Sequence, residues 1–281
     1  MVAQIEHRVE LDAKLTNPDY SGRVLTPEEI KAGEHRAYVG GVWDTHGKRQ
    51  LEFMIAQGLK PHHKLIDVGC GAFRAGRHFI DYLDAGNYYG VDANHSVMQA
   101  GWDNELTDEQ RAKQPIENLR ANDRFDTDFG VKFDFGIANS VFTHVSLNHI
   151  RLCMYRLDKV MAIGGSFYAT YFVRKDSVPL DAIKATKRRG KGFFTEKNNY
   201  VYYQGDLRWA ATWGDWDYTF IGEWGHPAHQ QMAKYTKRLP QPPEVSTTVV
   251  ERVQALGARA RRFGSRAKRG VKRRVKRALG R

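Results

Sequence analysis

The sequence predicts an α/β protein built on a doubly wound, seven-stranded and mostly parallel sheet, with an N-terminal helical cap and a basic C-terminal tail. Three observations predict it. From Lys64 onward, short apolar runs alternate with helical spacings, the pattern of strands wound with helices. The first of these runs, "KLIDVGCGAFRAG", passes directly into a glycine-rich turn. The series closes on two alternating strands, "DYTFIGEW" and "QQMAKYTK", joined by "GHPAH" as a hairpin.

Residues 1–24 show little periodicity and read as an arm. In "TPEE", Thr26 can cap a helix, with Pro27 at its first position and Glu29 as the reciprocal partner of a capping box. A second helix carries Leu51, Phe53, Met54 and Ile55 and stops at Gly58, so that residues 1–60 form the arm and cap. The 61–238 domain then reads as "KLIDVG" (strand one), a helix over 75–84, "YYGVDAN" (strand two), a polar helix over 94–113, "IENLRAND" (strand three), "FDFGIANS" (strand four), a helix from Leu147 to Met161, and "GSFYATYF" (strand five). An aromatic-rich insertion at about 174–205 and a short helix in "DLRWAATW" precede the hairpin, and Pro240, Pro242 and Pro243 mark where residues 239–281 begin as a tail.

A hydrophobic fraction of 41% is ample for a packed core. No stretch reaches the roughly 18 apolar residues of a membrane span, and the N-terminus lacks the apolar core of a secretory signal, so a cytoplasmic protein is expected. The two cysteines, Cys70 and Cys153, suggest neither a disulfide framework nor a zinc cluster. The net charge of +12 is concentrated in one place: residues 245–281 hold 13 Lys and Arg against Glu251, while the remainder holds 31 bases and 31 acids. The body need not bind a polyanion.

A dinucleotide fingerprint needs G-x-G-x-x-G, whose third glycine lets the helix approach the strand. Here Gly69 and Gly71 fill two positions and Arg74 takes the third. Asp67, just before the turn, would repel a diphosphate and suits a cationic ligand, while Asp92 at the end of strand two can accept ribose hydroxyl protons.

The D-V-G-C-G turn at Asp67–Gly71, the acid Asp92 and the seven strands ending in a hairpin resemble class I S-adenosylmethionine-dependent methyltransferases over roughly residues 60–238. The motifs are closest to those of small-molecule and sugar O-methyltransferases. The resemblance implies the Rossmann-like methyltransferase fold, with the last strand antiparallel, and S-adenosyl-L-methionine as cofactor. It implies that Asp67, Gly69 and Gly71 lie under the amino-acid end of that cofactor, that Asp92 holds the ribose, that Asp123 or its neighbour Asn122 meets the adenine, and that Asn139 lies beside the donor.

The acceptor side follows strand four, in "NSVFTHVSLNHI". A hydroxyl acceptor must lose its proton as its oxygen attacks the methyl group, so a general base is favoured, and His144 is the candidate, with a helix-capping or packing role as the alternative. The resemblance agrees, because small-molecule O-methyltransferases with a similar "SVFTH" segment place a histidine there. The short Asn/Asp-Pro-Pro-aromatic motif of amide and base N-methylation is missing after strand four, which favours oxygen. Thr143, Tyr202, Tyr203, one tryptophan of the 187–216 segment and His226 are expected to line the acceptor site, most of that segment's aromatics, Phe193 and Phe194 among them, serving the core. His226 and His229 lack an identifiable third ligand, so no zinc site is predicted and no metal ligand is named, while magnesium, for which Asn139 and Asn148 give weak support, stays an open alternative.

In the tail, Val249, Val253, Leu256, Ala260, Phe263, Ala267, Val271 and Val275 recur at helical spacing, giving a narrow apolar stripe beside a broad cationic face. An anionic membrane surface fits it, which would place the protein peripherally on the inner membrane face. RNA is the competitor, and a solvated tail the third possibility. The expected function is therefore O-methylation of a small-molecule or glycan hydroxyl. RNA methylation, with the tail on phosphates, and a non-catalytic adaptor that keeps the cofactor fold are the alternatives.

Overall fold

The computed structural model of the protein describes residues 6–7, 22–174, 183–184, 191–192 and 200–240. The chain divides into two units, Met1–Leu239 and Pro240–Arg281, and the architecture below belongs to the first. Most of the N-terminal arm, Phe193 and Phe194 of the aromatic insertion, and the tail helix read over 249–275 lie outside the described residues.

The strands in chain order are β1 (Glu6–His7), β2 (Leu65–Val68), β3 (Tyr88–Asp92), β4 (Leu119–Ala121), β5 (Phe133–Ala138), β6 (Met161–Val173), β7 (Ile183–Lys184), β8 (Lys191–Gly192), β9 (Val201–Tyr202), β10 (Trp216–Gly222) and β11 (Gln231–Lys237). The main sheet runs β1-β4-β3-β2-β5-β6-β11-β10, with β9 added beside β6, while β7 and β8 pair with each other. β11 is antiparallel to both β6 and β10, and the other pairings in the main sheet are parallel. The seven predicted strands are thus present, and the two-residue strands β1 and β9 are additions.

Helices cover both faces: α1 (Pro27–Lys31), α2 (Glu34–Tyr38), α3 (Trp43–Ala56), α4 (Gly76–Tyr82), α5 (His95–Asn104), α6 (Asp108–Lys113), α7 (Leu147–Val160) and α8 (Gln204–Ala210). Successive side chains of a strand point to opposite faces. Phe167 accordingly joins the core with Phe142, Met154 and Leu157, whereas Tyr168 joins the core with Met54, Phe79 and Trp102. Truncating a fully buried member such as Leu157 to Ala would cost about 2–5 kcal/mol.

Three boundaries differ from the sequence reading, each for a local reason. The predicted helix over 94–113 is two helices, because Thr107 and Gln110 form a second capping box that restarts the chain as α6. Strand three shortens to Leu119–Ala121, since Ile116–Asn118 form a 3₁₀ turn. The cap holds three helices rather than two, as Gly40 and Gly41, both at positive φ, turn the chain between α2 and α3. The Thr26–Glu29 capping box forms as read. Gly58, at φ 102°, ends α3 in a Schellman arrangement, with its N–H on Ile55 O and the Leu59 N–H on Met54 O.

The cap docks through polar contacts. Glu105, after α5, accepts both Nε and Nη2 of Arg36 at 2.6 and 2.8 Å and contacts His35 Nε2 at 2.6 Å. Arg77 of α4 reaches Asp44 of α3 at 2.6 Å. These contacts hold α2 and α3 over the carboxyl ends of the strands, where a site belongs in this type of sheet.

Candidate active site

Parallel pairing in register brings Asp67 beside Gly90 on one side and Ile137 on the other, and Asp92 beside Ala121, so the ends of β2, β3, β4 and β5 share one edge. A cavity of about 550 Å³ opens there under the cap. Of the residues singled out from the sequence, Asp67, Gly69, Gly71, Asp92, Asp123, Asn139, His144 and His226 all line it.

The glycine turn is shaped by its neighbours. Gly69 and Gly71 take φ values of 79° and 53°, and a Cβ on Gly69 would lie 2.2 Å from Val141 Cγ2, one on Gly71 2.6 Å from Val39 Cγ1. Arg74, in place of a third glycine, turns under the cap and donates from Nη1 to Val39 O at 2.7 Å and Gly41 O at 2.9 Å.

Asp67 is 4% exposed and accepts a hydrogen bond from the Tyr88 hydroxyl at 2.9 Å. Burial pushes its carboxyl up to about 7, against the opposing pull of that hydrogen bond. Asp92 accepts the Gly71 N–H on Oδ2 at 2.9 Å and the Asn94 N–H on Oδ1 at 2.8 Å, with the Ala93 N–H acting on it as well, which fixes its plane. Burial raises its pKa, and these N–H groups limit the rise. Between the two adenine candidates the structure distinguishes clearly. Asn122 spends Oδ1 on the N–H groups of Arg124 and Asp126 and Nδ2 on Asp126 O, whereas Asp123 Oδ1 is buried with no hydrogen-bond partner among the described residues. A buried acceptor without a partner costs about 1–3 kcal/mol. The donor set therefore fits an adenosyl amino acid: a carboxylate for an ammonium, a second for a ribose diol, and an unspent acceptor for an exocyclic amine.

The far wall follows β5 and the β10–β11 hairpin. Asn139 donates from Nδ2 to His46 Nε2 at 3.1 Å, and Ser140 Oγ meets His226 Nε2 at 3.1 Å. The two imidazoles pack edge to face with centroids 4.7 Å apart, and Trp224 backs both. Burial, reinforced by the Arg74 charge, depresses His46 to about 3 and His226 to about 4, so both rings are neutral across the physiological range. Three residues of this cavity, Val42, Phe125 and Ser140, hold positive φ (46°, 55° and 64°) without being glycine. Such strain persists where the surroundings enforce a particular geometry.

Other expected site residues lie elsewhere. Thr143 is fully buried and donates to Ser140 O at 2.7 Å. Tyr202 is packed in the core with its hydroxyl on Val145 O at 2.6 Å, and Tyr203 is the residue before α8. None of the three lines the cavity. Trp209 and Trp213 flank Arg151 at 4.4 and 5.0 Å, and Trp216 is in the core, so the tryptophan against the site is Trp224, outside the predicted segment. His46 was not read from the sequence. The available signal was its position: in α3 the buried residues are Trp43, His46, Gly47, Gln50 and Met54, which puts two polar side chains on an inward helical face. Gly47 is there because a Cβ would lie 2.2 Å from Arg74 O. Among the described residues no group of three or more His, Cys, Asp or Glu could hold a metal, and no helix is long and apolar enough to cross a membrane.

Residues 66–167 match the family model described as a methyltransferase domain. Solved structures share the fold at low identity. A sugar N-methyltransferase from Streptoalloteichus aligns with a TM-score of 0.52 and 14% identity over 78% of this chain and 96% of its own. An S-adenosylmethionine-dependent methyltransferase from Clostridium acetobutylicum gives 0.52 and 11% over 76% and 100%. A glycopeptide N-methyltransferase gives 0.51 and 14% over 71% and 98%.

Proposed function

We propose that this chain, whose residues 66–167 match a methyltransferase-domain model, is a class I S-adenosylmethionine-dependent methyltransferase that methylates a hydroxyl oxygen of a small-molecule or glycan acceptor. The supporting observation is the distribution of charge in the cavity. Among its lining residues the carboxylates are Asp67, Asp92 and Asp123, and all three belong to the ends of β2, β3 and β4, on the donor side. The acceptor side, after β5 and in the hairpin, offers Asn139, Ser140, His144 and His226 and no carboxylate to hold a cationic amine.

S-adenosylmethionine, when bound, supplies an electrophilic methyl group. Asp92 would accept the ribose hydroxyls, Asp123 Oδ1 the adenine amine, and Asp67 would face the ammonium group. His144, whose N–H bonds to Val141 O at 2.9 Å in the turn after β5, takes the proton of the acceptor hydroxyl. The apolar side chains of Val42, Val141 and Phe172 keep bulk water from the acceptor oxygen.

The test is transfer of labelled methyl from S-adenosylmethionine into fractionated cell extract, followed by analysis of the labelled linkage. A base-stable ether in a small molecule or glycan supports the reading; label recovered in an amine or in RNA overturns it. We also assign to residues 245–281 attachment to an anionic membrane surface, on the strength of their 13 bases and apolar stripe. Full-length protein should float with anionic vesicles, and a chain ending at Pro243 should not.

A further inference from the structure

The two neutral histidines of the acceptor wall hold opposite tautomers, and the hydrogen bonds decide which. His226 Nδ1 accepts the Ala228 N–H at 3.0 Å, so its ring proton sits on Nε2 and is donated to Ser140 Oγ. His46 Nε2 accepts from Asn139 Nδ2, so its ring proton sits on Nδ1, a buried atom with no partner among the described residues. Neither ring keeps a lone pair for an incoming proton. Each is a spent acceptor.

Ser140 is held from several sides. Its N–H donates to Thr170 Oγ1 at 2.7 Å, its carbonyl accepts from Thr143 Oγ1 at 2.7 Å, and Thr170 Oγ1 is itself fixed by donating to Gln230 Oε1 at 2.6 Å. Its backbone is kept at φ 64°, a conformation serine rarely adopts. Its Oγ accepts from His226 and lies 3.4 Å from Asn139 Nδ2, so the hydroxyl proton is left to point toward the cavity that Ser140 lines. A group so constrained presents a donor in one direction.

We infer that His46 and His226 are positioning residues, locked as hydrogen-bond partners of Asn139 and Ser140. They make the Ser140 hydroxyl the donor that grips an oxygen substituent next to the hydroxyl being methylated, and they leave proton removal to His144. The inference rests on the proposed oxygen methylation and narrows its substrate class to acceptors carrying a neighbouring oxygen, as in a diol or hydroxy-carbonyl compound, rather than a neighbouring ammonium. The groups facing the two rings agree with permanent neutrality. Arg74 and Arg49 act on both, His226 also on His46 and His229 on His226, and among the described residues no carboxylate acts on either.

The test uses full-length protein labelled with ¹⁵N-histidine and saturated with S-adenosylhomocysteine. His46→Gln and His226→Gln assign the signals. Between pH 5.5 and 8.0, His226 should show a protonated Nε2 and bare Nδ1, His46 the reverse, and neither should titrate. A reversed tautomer, or an imidazolium signal from either ring in that range, overturns the inference. A kinetic arm uses the acceptor fraction that receives labelled methyl. His226→Phe should raise the acceptor KM about tenfold or more, with the pH profile and S-adenosylhomocysteine affinity unchanged. His226→Gln, whose amide N–H replaces Nε2–H, should restore KM to within about threefold. A shifted pH profile in His226→Phe, or equal defects in both variants, contradicts the positioning role. If the wild type labels no fraction, the proposed methylation fails, while the spectra still decide the tautomers.

Discussion

The two walls of the cavity solve different problems with different chemistry. The donor wall carries three carboxyl groups at or near strand ends: Asp67 is fixed by the Tyr88 hydroxyl and Asp92 by the N–H groups of Gly71 and Asn94, while Asp123 Oδ1 is buried without a partner among the described residues. The acceptor wall is neutral, with His46, Asn139, Ser140 and His226 satisfying one another in pairs. A cationic cofactor would account for the first, and the uncharged acceptor proposed above for the second. Buried carboxylates are expensive unless a cation or donors arrive to meet them, so the donor wall is poised for a ligand; on the acceptor wall His46 Nδ1 and Asn139 Oδ1 are buried without partners among the described residues.

The sharpest break between the walls is His144, the acceptor-side residue assigned to proton removal. His144→Ala should lower methyl transfer by about 10²- to 10⁴-fold while S-adenosylhomocysteine binds as in the wild type. Steady-state transfer alongside calorimetry checks both halves, and a variant with near-normal turnover would remove His144 from the chemistry.

A smaller effect separates the walls by pH. In the empty site burial holds the Asp67 carboxyl up to about 7, and an ammonium placed beside it favours the ionised form. Binding then releases a proton, so affinity for S-adenosylhomocysteine should rise with pH toward about 7, by at most roughly tenfold per unit, and level off above. Fold stability without ligand runs in the opposite direction: Asp67 binds its proton more tightly folded than unfolded, so its contribution to stability falls as pH rises from the ordinary carboxyl range to about 7. Calorimetry at pH 5.5, 6.5 and 8 should show the affinity trend, and Asp67→Asn should flatten it. His46 and His226, depressed to about 3 and 4, should add nothing in this window.

The smallest expected effect concerns a residue that belongs to neither wall. Tyr202→Phe removes the hydrogen bond to Val145 O and should cost about 1 kcal/mol of stability, a shift in Tm of roughly 2–4 °C, with cofactor affinity unchanged. A changed acceptor KM instead would return Tyr202 to the site.

The contrast also explains what could be read from the sequence. The place of Asp67, Gly69 and Gly71 at the cavity was legible because strand and turn are contiguous and the turn's geometry is dictated within a few residues, and that of Asp92 because it ends the next apolar strand, 21 positions after Gly71. The seven strands followed from the alternation, whereas the antiparallel β11 was implied by the resemblance to the methyltransferase fold, and the order of the sheet is a finding of the structure. The acceptor wall joins residues from α3, the end of β5 and the hairpin, with His46 and Asn139 separated by 93 positions and Ser140 and His226 by 86. No local pattern encodes such a contact. Thr143 and the Tyr202–Tyr203 pair were drawn toward the site by their neighbourhood in the chain, but the turn after β5 points Thr143 inward, and pairing of β9 with β6 carries Tyr202 into the core.

The central claim is that the three-carboxylate wall holds S-adenosylmethionine, and titration of S-adenosylhomocysteine into ligand-free full-length protein and its Asp92→Ala variant tests it most directly. Loss of two charge-assisted hydrogen bonds to the ribose should weaken binding by about 100-fold or more, from one-to-one saturable binding in the wild type. Absence of binding to the wild type, or equal affinity in the two proteins, would contradict the account.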